Sequence, residues 1–134
     1  MELQLEILET KAQRRGESTI SFARKSGTVT LSTQFCRDAK VKHGDRMALA
    51  KDPQKEKDWY LVIFNNDNDP KGVPSRRPDE AGCMFNCGAF VHAFMDQFAS
   101  KDDKSIRVPL ATAPNEILNG RAKAFAILTK ALEI

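Results

Sequence analysis

The sequence predicts an α+β fold, a mostly antiparallel sheet with one amphipathic helix packed on it. Three observations carry this. Short alternating or β-branched runs recur at Thr19–Ala23, Thr28–Leu31, from Met47, at Trp59–Phe64, from Ile106 and at Ala124–Leu128, and an apolar residue at every second position marks a strand with one buried face. One stretch, Phe85 to Ala99, instead places Cys87, Phe90, Val91, Phe94 and Phe98 at spacings of three and four, the repeat of a helix with one apolar face. The chain has 134 residues, 41% hydrophobic and 29% charged, the size and composition of one ordinary domain, so 1–134 is expected to fold around one core.

In chain order, Leu3, Leu5 and Ile7 alternate with Glu2, Gln4 and Glu6 and predict a first strand. Thr10 to Glu17 is polar, with Arg15-Gly16 as its turn signal. Ile20 and Phe22 share one side of the next strand, and Ser26-Gly27 turns it into Thr28–Leu31, where Val29 and Leu31 point together. Ser32 or Thr33 is placed to cap a short helix over Gln34–Lys40, since either hydroxyl can accept an orphan N–H. Phe35 and Ala39 sit four apart on one face of that helix. Gly44 supplies a left-handed position after it. Met47 and Leu49 begin another strand. Trp59–Phe64 is apolar on both faces and is expected to be central and covered. Trp59 and Tyr60 point to opposite faces, which leaves one of them available to stack on a base. Residues 65–82 contain Pro70, Pro74 and Pro78 and, as large apolar residue, Val73 alone; this predicts a long polar loop. Residues 83–134 then supply the helix and the strands that complete the fold. Pro109 places the Ile106–Leu110 strand at an edge or a strand end, and Pro114–Leu118 is read as a single helical turn.

The charge is uneven. Residues 1–64 carry 12 Lys/Arg against 9 Asp/Glu, and residues 65–134 carry 9 of each. Over 11–46 nine cations face Glu17, Asp38 and Asp45 alone. A cluster of this sign attracts phosphate and gains from the counterions it releases. The candidate nucleic-acid contacts are Arg14, Arg15, Arg24, Lys25, Arg37, Lys40 and Lys42.

Other chemistries find little support. Cys83-x3-Cys87-x4-His92 lacks the second ligand pair that a structural zinc site uses, so no metal is expected. There is no Gly-rich phosphate loop, HExxH or GxSxG; no catalytic residue and no cofactor are expected, and the enzyme class ranks below binding. No run approaches 18 consecutive apolar residues, which speaks against a membrane span. The acidic, alternating start lacks the basic and apolar regions of a secretory signal. With the odd cysteine count it predicts a reducing, cytoplasmic setting.

The pattern with most specificity is residues 27–49: Gly27-Thr28-Val29-Thr30-Leu31, then Ser32 through Val41 over the short helix, then His43-Gly44-Asp45-Arg46-Met47-Ala48-Leu49. It resembles the AbrB/MazE-like swapped-hairpin family of DNA-binding regulators and antitoxins, in which a glycine turn, a strand, a short helix and a Gly-Asp turn recur. The resemblance makes 20–64 an AbrB-like β-α-β-β element and implies a homodimer whose hairpins interleave and whose basic residues reach DNA. Arg24, Lys25 and Arg37 are the matching basic positions. Thr28 stands where the family commonly has a DNA-contacting arginine, Ser32 replaces a usual proline, and His43 replaces the residue before Gly-Asp. A sheet crossed by a helix is also similar to Whirly-type and positive-cofactor-type binders of single-stranded DNA. The expectation is therefore a DNA-binding regulatory protein, on double or single strands. The alternatives are a protein-interaction module of antitoxin or adaptor type and a Whirly-like single-strand binder.

Overall fold

The computed structural model describes residues 17–66, 69–77 and 82–132. The expected strand over Leu3–Ile7 and the candidate contacts Arg14 and Arg15 lie outside these residues. The described elements are β1 (Thr19–Ala23), β2 (Thr28–Leu31), α1 (Thr33–Asp38), β3 (Arg46–Lys51), β4 (Trp59–Phe64), β5 (Val73–Pro74), β6 (Cys83–Asn86), α2 (Gly88–Phe98), β7 (Ser105–Pro109), β8 (Asn115–Ile117) and β9 (Ala122–Ile127), with 3-10 turns at Leu118–Gly120 and Thr129–Leu132. The fold is α+β, as the periodicities predict. Among the described residues no helix is long and apolar enough to cross a membrane.

The strands form two antiparallel sheets, ordered β6-β2-β1-β7 and β5-β3-β4-β9-β8. In the first, Ile20 faces Leu31 and Val108, while Phe22 faces Val29 and Ile106. Val29 and Leu31 continue the apolar rows to Phe85 and Cys83. In the second, Leu49, Leu61 and Phe125 form one row and Met47 and Ile63 another. These rows point at each other, and one core cluster takes buried side chains from both sheets. β4 is the middle strand of its sheet and β7 lies at an edge, where the sequence puts them. The sheets also meet through isolated antiparallel pairs, Arg76 with Met84 and Leu110 with Ile127, so they close on each other like a flattened barrel.

The helices close the ends of this barrel. Phe35 of α1 meets Phe125 edge-on, with ring centroids 5.0 Å apart. Phe94 of α2 stacks on Phe22 at 4.3 Å and meets Trp59 edge-on at 5.2 Å. The Trp59 indole N–H donates to Gln97 Oε1 at 3.1 Å, and Gln97 donates in turn to the Glu56 carbonyl; Gln97 therefore ties α2 to the second sheet although the helical repeat places it away from the core. Gly27, at φ +67°, turns β1 into β2 so close to α2 that a Cβ built on it would lie 2.7 Å from the Gly88 Cα. A side chain is excluded there by both conformation and space.

Four expectations are corrected. The helix starts at Gly88, not at Phe85: Cys83 and Phe85 lie on β6, where pairing with β2 buries both. Phe90, expected on the apolar face, is 42% exposed, and Val91, Phe94 and Met95 do the burying. Pro114–Leu118 is not a helical turn, since Asn115–Ile117 pairs with β9 as strand β8. Residues 65–82 are more than a loop. Val73 and Pro74 pair with β3, Ser75 is buried, and Asp69 is 3% exposed.

Asp69 is held by the Lys71 backbone N–H at 3.0 Å and by Arg121 Nη2 at 2.8 Å. The Lys71 N–H foremost, then the guanidinium, holds its carboxyl below the ordinary 3.8, against the opposing pull of burial. A carboxyl lowered on folding stabilises the protein fully above its unfolded value, and that stabilisation is lost as pH falls through the folded value. Asp69→Asn is therefore expected to flatten the pH dependence of the melting temperature below about pH 4. Thermal melts across that range check it, and an unchanged slope would refute it.

Candidate nucleic-acid interface

The α1 end of the barrel is built by short-range devices that the sequence already signals. Ser32 Oγ accepts the Phe35 N–H at 3.3 Å and the Thr19 N–H at 2.9 Å, capping α1 and fastening it to β1. After α1 the chain reverses through Lys40, at φ +56°, and Val41 is buried. Asp45 Oδ2 then accepts the Lys42 N–H at 2.8 Å, with Gly44 at φ +92° inside that turn.

Residues 75–77 strap this connection down. Ser75 donates from its backbone and its hydroxyl to the Asp45 carbonyl. Arg77 Nη1 donates to the Val41 carbonyl at 2.8 Å, and the Arg77 N–H donates to His43 Nδ1 at 3.0 Å. His43 is thus held by the backbone of the strap.

The strapped connection forms one wall of an open depression of about 440 Å³. Lys40, Lys42 and Asp45 of that connection line it together with Ile63, Phe64 and Asn65 at the end of β4 and Lys123 and Phe125 of β9, and Lys123 pairs directly with Ile63 across the sheet. All three lysines are exposed. Among the described residues none of them is in an ion pair with a carboxylate. Glu116 is the cross-strand neighbour of Lys123. Arg37 is exposed in the last turn of α1, and Arg76 is exposed on the strap. The carboxylates of this end are engaged: Asp38 accepts from Gln34, Asp45 from Lys42, and Asp69 from Arg121.

The seven candidate contacts therefore divide. Arg37, Lys40 and Lys42 come together at the α1 end. Arg24 and Lys25 lie at the β1–β2 turn, a strand length away, roughly 13 Å over the four residues of β2. They line a different depression, of about 540 Å³, with His92, Lys101, Asp102, Asp103 and Lys104. Arg24 is already engaged within the fold. Its Nη1 lies 2.8 Å from Asp96 Oδ1, its Nη2 donates to the Ser100 carbonyl, and its Nε donates to the Asp103 carbonyl. Arg24→Ala is expected to cost about 1–2 kcal/mol of stability, a sum of lost partly exposed bonds, with nucleic-acid affinity unchanged. A urea melt beside a binding titration separates the two roles, and a selective loss of binding would restore Arg24 to the interface.

Lys123 was not foreseen. In Ala122–Ile127 its alternation puts it in phase with Phe125 and Ile127, on the inner side. A lysine in that phase has to stand at the open mouth, but only the pairing of β9 with β4 shows that this mouth is the one beside α1.

Burial holds the three thiols in their protonated form. Burial foremost, with Cys83 beside it, pushes Cys36 up to about 11, and burial raises Cys83 and Cys87 as well. Such thiols stay protonated and are poor nucleophiles and ligands. Among the described residues no group of three His, Cys, Asp or Glu gathers in a way that could hold a metal ion.

A further apolar surface lies on the outer face of the second sheet. Val62, Phe64, Ala122 and Ala124 cluster there with Ala48, Ala50, Tyr60 and Ile117, and a groove of about 560 Å³ runs beside Tyr60. Trp59 is on the opposite, core side at 2% exposure. Tyr60 is therefore the one of the two aromatic residues that reaches a surface.

Comparison of the chain with known protein families, with curated proteins and with solved structures finds no match.

Proposed function

We propose that this is a non-catalytic, DNA-binding regulatory protein that holds phosphates at the α1 end of its barrel. One observation carries the reading: Lys40, Lys42 and Lys123, drawn from elements about 80 residues apart, line one open depression, and none of them is in an ion pair among the described residues. Arg37 extends the positive surface. Contacts of this kind fix position on a nucleic acid without reading bases. The resemblance of residues 27–49 to swapped-hairpin regulators supports the same reading. It adds a homodimer in which a two-fold axis presents the basic end twice. The three free cysteines fit a reducing, cytoplasmic setting.

The test is a salt titration. Three lysine contacts give a slope of about −2 to −3 in log K against log salt. A flat titration, or the absence of any complex with DNA at low salt, refutes the reading. The apolar groove beside Tyr60 favours a second reading, a protein-interaction module. Isolation with a stoichiometric protein partner and no nucleic-acid absorbance would select it.

A further inference from the structure

We propose that the depression between Lys40, Lys42 and Lys123 takes one unstacked nucleotide of a single strand in preference to duplex DNA; this rests on the phosphate-binding reading above. The argument is the contrast within its lining. The lining carries three cations, and its apolar side chains in phase with Lys123 are Ile63 and Phe125. A duplex stacks its bases inside a stiff cylinder and shows phosphates outside, so it has nothing to place against those apolar side chains. A single strand supplies both parts, a phosphate for the lysines and a splayed base for the apolar side chains.

The volume, about 440 Å³, lies within the range of sites that enclose one small molecule, about 300–1,000 Å³. Phe125 is nearly covered, whereas Ile63 is half-buried. Ile63 is thus the more accessible of the two. Asn65 donates through Nδ2 to the Gly120 carbonyl, which leaves its Oδ1 as an acceptor for a base N–H. The acids also limit the ligand. Asp45 at the side and Glu116 next to Lys123 oppose a continuous row of phosphates, so the site suits one nucleotide rather than a duplex backbone.

The experiment uses the full chain at low salt and compares three labelled probes by fluorescence anisotropy. The probes are an octamer of thymidylate, an abasic octamer with the same backbone, and a short duplex. The expected result is octathymidylate bound about tenfold tighter than either competitor, since contact with each base adds severalfold or more. Ile63→Thr, which keeps a β-branched strand residue, is expected to erase the advantage over the abasic probe and to leave abasic binding unchanged. If the duplex binds as tightly as octathymidylate, or the abasic octamer matches it, the single-strand inference falls and the phosphate reading stands. If no probe binds, both fall.

Discussion

Phe94→Ala is expected to remove about 3–5 kcal/mol of stability, a large part of what a domain of this size has. Phe94 is fully buried and is the hub of an aromatic cluster that joins three elements: Phe22 on β1 at 4.3 Å, Trp59 on β4 at 5.2 Å and Phe98 one turn on at 4.8 Å. Truncating it opens a cavity between both sheets and α2 together, where no single neighbour can collapse to fill it. The loss also uncouples the Trp59–Gln97 bond, because ring and indole seat each other. Trp59 is the sole tryptophan, so its fluorescence in a urea titration reports the change directly. Phe90→Ala, on the exposed side of the same helix, is expected to shift stability by no more than about 0.5 kcal/mol. Equal effects from the two substitutions would mean that the helix does not pack as described.

Lys42→Glu combined with Lys123→Glu is expected to weaken nucleic-acid binding about a hundredfold. Each reversal removes one phosphate contact and adds a repulsion, about tenfold per site, and the salt slope falls by about two. Both side chains are exposed, so the melting temperature should fall only slightly, through the like charges that Lys123→Glu sets opposite Glu116. Lys25→Glu, at the far end of β2, serves as the control and is expected to bind like the unaltered protein. Undiminished binding by the doubly reversed protein would remove the α1 end as the interface.

The parts of the fold visible in the sequence are those that local chemistry decides. The alternation of Ile20 with Phe22, Val29 with Leu31, and Met47 with Leu49 follows from one face being wet and the other dry, and these strands form where the pattern places them. The same holds for Ser32, whose hydroxyl caps α1, and for Gly27 and Gly44, whose positive φ the turns require.

What stayed hidden depended on partners distant along the chain. The run from Cys83 to Phe94 carries both a two-residue and a helical repeat, and pairing with β2 decides where one gives way to the other. Val73 and Pro74 look like loop residues until β3 offers them an edge. The candidate interface is half legible for the same reason. Arg37, Lys40 and Lys42 are neighbours in sequence and in space. Arg24 is near them in sequence alone, and Lys123 in space alone.

The closure of the two sheets on each other rests on very few bonds. Arg76 and Met84 exchange two backbone hydrogen bonds, of 2.8 and 2.9 Å, whereas β3 and β4 pair over five residues. A cylinder zipped along most of its staves and tacked at two joins, this one and Leu110 with Ile127, yields at the tacks first. The Arg76–Met84 tack lies beside the Arg77 anchor that braces the lysine-bearing connection. Parting there would loosen that brace, so the seam between the sheets and the footing of Lys40 and Lys42 give way together.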